Sequence, residues 1–368
     1  MKSSNHDDTF YMKYAIRLAS RNIGLTGENP SVACLLVCDG KIISHGITEK
    51  GGSPHAEFIA LSKLTNIPPK TIAYVTLEPC SFVGKNPSCA SLLIDRGISK
   101  VVIATKDPNP LVNGVGIEIL EKKGLNVIVG LEELSAKENI YGFEQKILGS
   151  YPEVNIKVAS YQNGITIPDQ KEPWITNSLS RSYGHILRSN HDVIIVGVNT
   201  VKIDNPNLDC RLPGMIDRSP IKVIIDTNLT TPLNCSLVKN ANKNGLIIFT
   251  SELNNNNNFI KFLDRGVELI KVDTDADGLL NVKSVLDTLR EKGFNRILVE
   301  GGSTLSSSFL SNNLVNFVYW FKSDNQKNDK KPISNGDKTI NKIIKSSKFK
   351  IKDSISLKSD SLKIFKSV

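Results

Sequence analysis

Two successive series of strand-sized apolar runs, each alternating with helical stretches, constrain this chain more than any other feature. In the first series, "SVACLLVCDGKIISHG" reads as a hairpin turning at Asp39-Gly40, and "TIAYVTL", "KVVIATK" and "LNVIVG" read as strands. Among them lie helical stretches. Residues 8–22 place Phe10, Tyr14, Ile16 and Leu18 at helical spacing, and "PHAEFIALSKL", "CASLLIDRG" and "GIEILEKKG" follow. A further helix runs into a linker near Tyr151-Pro152. The second series comprises "VNIKVAS", "DVIIVG", "IKVIID", "GLIIFT", "ELIKV" and "RILVEG", with helices expected at 177–189, 280–292 and 303–312. Such alternation predicts largely parallel sheets covered on both faces. At 368 residues the chain exceeds what one core serves, so two α/β domains are expected, residues 1–148 and 149–368.

Composition narrows the function classes. The longest apolar runs, "VACLLV" and "DVIIVGV", are far too short to span a bilayer. "MKSSNHDDTFYMKYAI" lacks an apolar signal core, so a cytoplasmic protein without a membrane partner is expected. The net charge of +9 sits almost wholly at one end: from Trp320 onward there are 13 Lys against 5 Asp. No run of aromatic residues accompanies them, so this divergent Lys/Asn-rich segment reads as solvated surface, not a nucleic-acid groove. The asparagine run at 254–258 reads as a low-complexity loop. Six cysteines in so long a chain make no disulfide framework, and Cys34, Cys38, Cys210 and Cys235 read as small core residues.

The other two cysteines belong to a constellation. A catalytic zinc keeps three protein ligands, imidazole or thiolate, and one open position. His55, Cys80 and Cys89 meet that count, with Glu57 beside the histidine. Ser53 is expected to cap the helix of "PHAEFIALSKL", with Pro54 in its first turn and Phe58, Ile59, Leu61 and Leu64 facing a core. Ser88 is expected to cap the next helix, so that Cys89 opens it and two helix N-termini favour thiolate. Zinc deaminases share this pattern, an H-x-E followed by P-C-x-x-C, in which the glutamate moves protons and is no ligand. Here "HAE" and "PC" match, and eight residues separate the two cysteines.

"HAE", "VTLEPCSFVGKNPSC" and "KDPNP", followed by "WIT", "VGVNTVKIDNPNLDCR", "VIIDT" and "VEGGSTL", closely resemble the bifunctional deaminase/reductases of riboflavin biosynthesis over roughly residues 8–320. The resemblance implies a cytidine-deaminase-like three-layer domain followed by a dihydrofolate-reductase-like domain that uses NADPH. It implies a small-molecule substrate, a diaminopyrimidinone ribosylamine 5′-phosphate. That substrate is first deaminated hydrolytically with zinc, and its ribosyl group is then reduced to ribityl. Glu57 matches the proton carrier. Asn29 matches a polar position of the deaminase pocket. Lys85 matches a basic position that holds the phosphate, although by itself it reads equally as a solvated loop lysine. In the second half, Arg188, Leu208, Arg211 and Glu300 match substrate positions. Ala159, Trp174, Thr200, Asp204, Thr227, Gly301, Gly302, Ser303 and Thr304 match positions at the cofactor, where a strand–Gly–Gly–helix turn suits a phosphate. The resemblance also implies a homo-oligomer assembled through the reductase domains.

Several positions depart from the family pattern. Phe82 and Thr48 stand where histidine is common. "YQNGI" puts Tyr161, Asn163 and Ile165 in place of a serine, an aspartate and a basic residue, and Glu172 stands where serine is usual. After Trp320 an expected Pro-Lys-Leu-x-Gly stretch is replaced by "FKSDNQKNDKK". Three readings therefore remain open: both activities, a deaminase whose reductase-like domain is impaired or structural, and a zinc deaminase acting on RNA or nucleotides.

Overall fold

The computed structural model describes residues 4–82, 87–166, 174–254, 258–325, 338, 341–342 and 345–368. The chain forms two compact units that divide between Ser150 and Tyr151.

The first unit runs α1 (Ser4–Ala19), β1 (Ala33–Cys38), β2 (Lys41–Ile47), α2 (Ala56–Ser62), β3 (Ile72–Val75), α3 (Cys89–Asp95), β4 (Lys100–Ile103), α4 (Val115–Lys122), β5 (Asn126–Val129) and α5 (Glu133–Ile147). Its sheet has the order β2-β1-β3-β4-β5. The β1–β2 and β1–β3 pairs are antiparallel and the β3–β4 and β4–β5 pairs parallel, so this sheet is evenly mixed rather than largely parallel. The reason is local: Asp39 and Gly40 both take positive φ, 48° and 72°, the two-residue turn that reverses a strand onto itself. Alternation along β1 sends Cys34 and Leu36 to one core, with α2, α3 and α4, and Ala33, Leu35 and Val37 to another, under α1. Three layers result, and Cys34, Cys38, Cys210 and Cys235 are buried as expected.

Two helix faces differ from the spacing argument. On α1 the inward face is Tyr11, Met12, Ala15, Ile16, Leu18 and Ala19, while Phe10 and Tyr14 are exposed. On α2 the buried residues are Ala56, Glu57, Ala60 and Leu61, and Phe58 is exposed. Small residues face the sheet because α2 packs closely on β2: a Cβ at Gly46 would lie 2.0 Å from the Ala56 carbonyl oxygen.

The second unit runs β6 (Glu153–Ser160), α6 (Ser178–Ser189), β7 (Val193–Gly197), α7 (Val198–Asp204), β8 (Ile221–Ile225), α8 (Ser236–Lys239), α9 (Ala241–Asn244), β9 (Leu246–Ser251), α10 (Phe259–Leu263), β10 (Glu268–Val272), α11 (Val282–Glu291), β11 (Arg296–Glu300), α12 (Ser303–Ser311), β12 (Phe317–Lys322), β13 (Phe349–Leu357) and β14 (Asp360–Ser367). The nine-stranded sheet has the order β10-β9-β8-β7-β11-β6-β12-β14-β13. It is parallel from β10 to β12, and β14 and β13 add antiparallel. One face packs α11 and α12 through Val285, Leu286, Leu289, Phe309 and Leu310, and the other packs Leu187, Val201, Val238 and Phe262 from α6, α7, α8 and α10. The last two strands correct the expectation of a merely solvated basic tail. Leu357, Asp360, Leu362 and Phe365 are buried, while Lys350, Lys352, Lys363 and Lys366 face outward. Lysines on an edge hairpin keep further strands from pairing there.

Among the described residues, no helix is long and apolar enough to cross a membrane.

Candidate metal centre and second cavity

His55 is the N-cap of α2, with its carbonyl accepting from the Ile59 N–H at 3.2 Å. This corrects the expected cap at Ser53. The Pro54 carbonyl accepts from the Glu49 N–H, which ties Ser53-Pro54 to the loop after β2 instead of winding it into the helix. Cys80 lies beyond the carboxyl end of β3. Cys89 opens α3, whose N-cap Ser88 accepts from the Ser91 N–H as expected. The ligand atoms of His55, Cys80 and Cys89 lie within 4.8 Å of one another. His55 Nδ1 is 3.6 Å from Cys80 Sγ and 3.4 Å from Cys89 Sγ. A tetrahedral zinc with ordinary Zn–N and Zn–S bonds separates such ligands by about 3.6 Å. The donor set and its spacing therefore fit zinc. The two thiols share a hydrogen bond, which draws the Cys80 thiol well below its ordinary value, while Cys89 is pushed up by the same bond and by burial.

Glu57 sits in the first turn of α2 and is 3% exposed. Burial, reinforced by the charge on Cys80, lifts its carboxyl to about 7, where a group both takes and gives protons. His55, Glu57, Cys80 and Asn29 line a cavity of about 280 Å³. Asn29 is held by its Nδ2–H donating to the Gly52 carbonyl at 3.3 Å. Thr48 and Phe82 also line it. The Thr48 hydroxyl is buried and accepts from the Val32 N–H, and Phe82 is 58% exposed at the wall. Lys85 lies outside the described residues, as do Glu172 and most of the stretch from Gln326 to Ile340. Glu78, Asp107, Asn109 and Lys146 line the same cavity and escaped the residue-level reading. "KDPNP" carried a signal for two of them, but only as a motif.

In the second unit a cavity of about 270 Å³ opens at the carboxyl ends of β6 and β11, where ligands bind in parallel sheets. It gathers Ala159, Trp174, Arg188, Asp204, Arg211, Glu300, Gly301, Gly302 and Ser303. Arg188 grips Glu300 in a bidentate pair, Nε–Oε1 2.9 Å and Nη2–Oε2 2.8 Å, so its guanidinium is oriented before any substrate arrives. Burial alone would raise Glu300, but Arg188 and Lys157 outweigh it and hold the carboxyl at about 2. Lys157, unnoticed in the sequence, lines the cavity. Burial and the nearby Arg188 lower its pKa. His185 and Arg181 on α6 line it too. Positive charge thus predominates, as anionic phosphates require. Gly301 and Gly302 take φ of 81° and 63° ahead of α12, leaving the helix start open toward the cavity. The donors and the open helix start fit a phosphorylated dinucleotide.

Not every expected residue lies there. Thr200 packs on Gly301, where a Cβ would approach its Oγ1 to 3.1 Å, and does not line the cavity. Leu208 is buried in the core, and Thr227 and Thr304 are also outside the lining. Tyr161, Asn163 and Ile165 close a turn in which the Tyr161 N–H donates to the Ile165 carbonyl at 2.9 Å, and none of the three lines the cavity.

Fold and sites together define a two-unit α/β enzyme, with a zinc-deaminase-type centre in one unit and an electropositive cofactor cavity in the other. The family model for the cytidine and deoxycytidylate deaminase zinc-binding region matches residues 5–105, and that for the RibD C-terminal domain matches residues 161–321. The riboflavin biosynthesis protein RibD of Actinobacillus pleuropneumoniae is 36% identical over 351 residues, 94% of this chain and 91% of that protein. RibD of Aquifex aeolicus is 35% identical over 85% of this chain and 86% of its own length. Among solved structures, a diaminohydroxyphosphoribosylaminopyrimidine deaminase/5-amino-6-(5-phosphoribosylamino)uracil reductase from Thermotoga maritima superposes with a TM-score of 0.84 at 32% identity, covering 99% of both chains. Acinetobacter baumannii RibD superposes with a TM-score of 0.83 at 30% identity, again over 99% of both chains. The chain belongs to the RibD family of riboflavin-biosynthesis proteins.

Proposed function

We infer that this protein is a bifunctional enzyme of riboflavin biosynthesis. Residues 1–148 deaminate the diaminopyrimidinone ribosylamine 5′-phosphate, and residues 149–368 reduce the deaminated product. The observation that carries the reading is the His55–Cys80–Cys89 triangle with a buried Glu57 beside it. His55, Cys80 and Cys89 hold the zinc. When bound, zinc supplies a water nucleophile near neutral pH and NADPH supplies a hydride. The Glu57 carboxylate would take one proton from the attacking water and pass it to the ring nitrogen, then take the second from the hydroxyl of the adduct and pass it to the departing amine, which leaves as ammonia. Its elevated pKa suits both halves of that transfer. Asn29 orients the ring, and Lys85 receives the phosphate.

In the second unit Arg188 and Arg211 bind the substrate phosphate, with Glu300 completing the substrate side. Ala159, Trp174, Asp204 and the Gly301–Ser303 turn, which line the cavity, bind the cofactor. Against an impaired reductase stands the position of Tyr161, Asn163 and Ile165, whose departures fall outside the cavity lining. A homo-oligomer formed through the second unit is part of the same proposal.

The test is the zinc-loaded protein with the diaminopyrimidinone phosphate, with and without NADPH. Ammonia release followed by NADPH consumption is expected. Ammonia release without NADPH consumption would sink the bifunctional reading. A Glu57→Gln variant is expected to lose ammonia release by a factor of about 100 or more, and full activity in that variant would remove the proton-carrier role.

A further inference from the structure

Glu78, two residues before Cys80, is 3% exposed, and its carboxylate accepts from four backbone N–H groups. Oε2 accepts from Asp107 at 3.2 Å and Gly114 at 3.0 Å, and Oε1 from Gly116 at 2.9 Å and Ile117 at 3.4 Å. The last two are free N–H groups in the first turn of α4, whose N-cap Gly114 has no side chain to offer. A carboxylate also complements the positive end of the helix. Glu78 is therefore a cap brought in from 36 residues away. Gly116 completes the junction, because a Cβ there would lie 2.1 Å from the Pro79 carbonyl oxygen. The loop held at both ends by this carboxylate is the one that carries Asp107, Asn109 and Val112 into the wall of the cavity that His55, Glu57 and Cys80 also line.

We propose that Glu78 is a positioning residue for deamination: it locks the Asp107–Val112 wall to the Cys80 segment, so that the wall and the zinc ligands keep one fixed separation around the substrate. Misplacing such a wall by a fraction of an ångström weakens substrate binding without altering the metal. The proposal rests on the assignment of this cavity to deamination.

The experiment compares Glu78→Gln, which presents an NH₂ to two of the four donors, with Gly116→Ala, which pushes α4 off Pro79 and crowds the carboxylate without removing it. Each is assayed for ammonia release, zinc content and NADPH-dependent reduction of the deaminated substrate, which reports on the untouched second unit. Both variants are expected to keep one zinc per chain and normal reduction, while KM for deamination rises by a factor of about 10 or more and kcat falls far less. A KM within twofold of the parent protein in both variants overturns the proposal. So does loss of zinc with unchanged KM in the remaining active fraction, which would make Glu78 a support of the metal alone. Glu57→Gln separates the two ideas: if it stays active, the cavity assignment fails, and if it is inactive while Glu78→Gln keeps its KM, only the Glu78 proposal fails.

Discussion

At the scale of single residues, the charges that shape the second cavity also set its response to acid. The Glu300 carboxyl is held at about 2 against an ordinary value of 4.5, so the pair with Arg188 contributes its full stability above pH 4.5 and loses it as pH falls toward 2. The whole effect is on the order of 3 kcal/mol. His191 acts in the same direction from a higher pH. Its Nδ1 lies 2.6 Å from the Leu187 carbonyl and its Nε2 2.9 Å from Asn155 Nδ2, which fixes a neutral ring donating through Nδ1 and accepting at Nε2. Burial, aided by Arg296, lowers it to about 3 from 6.5, so the unfolded chain takes up a proton that the folded one refuses. Thermal stability of the second unit is therefore expected to be level above pH 6.5 and to fall steadily below it, measured as Tm against pH. A His191→Asn variant should show a flatter profile between pH 6.5 and 5. The sequence offered no hint of this, because a histidine between "RSN" and "DVIIVG" reads the same whether it is solvated or walled in.

At the scale of elements, the C-terminal hairpin holds the helix that carries Arg188, proposed above to bind the substrate phosphate. Asp360 Oδ2 accepts from the Asn177 N–H at 2.8 Å and the Ser180 hydroxyl at 2.6 Å, and Asn177 Nδ2 donates to the Leu357 carbonyl at 2.7 Å. These bonds join β13 and β14 to the start of α6, from which Arg181, His185 and Arg188 reach the cavity. An Asp360→Ala variant leaves the buried Ser180 hydroxyl and the half-buried Asn177 N–H unpaired and is expected to cost about 1–3 kcal/mol. Denaturant unfolding of the second unit would register this, with a raised KM for NADPH-dependent reduction and unchanged ammonia release. The strands and long helices of both units were legible because period-2 and period-3.6 patterns report burial directly. The hairpin was not, because an edge strand buries one face only and its lysines dominate the composition. Phe10, Tyr14 and Phe58 misled for the related reason that exposed aromatics at helical spacing look like core.

At the scale of the whole molecule, two units divide the chain between two chemistries, and their dependence on metal should divide with them. Removing zinc with a chelator is expected to abolish ammonia release. NADPH-dependent reduction of the already deaminated substrate is expected to stay within about twofold, since the second cavity is built from Arg188, Glu300, Lys157 and the Gly301-Gly302 turn and uses none of the three zinc ligands. Parallel loss of both activities would contradict that separation.

What the amino-acid order determined unaided was the α/β class, and it put forward the two-part division and the His55, Cys80 and Cys89 set whose ligand atoms the fold brings within 4.8 Å. Each is written in short-range pattern or in residue types with few alternative uses: alternating periods, a capped Cys89, a histidine with a glutamate two residues on. Tertiary structure alone decided the Glu78 cap on α4, the Arg188–Glu300 pair, the neutral His191 and the seat of Asp360 on α6. Each of these rests on at least one contact between groups 36 to 183 residues apart. A buried polar group is stable only where its partners converge, and convergence over such distances is a property of the packed chain, absent from any local stretch of it.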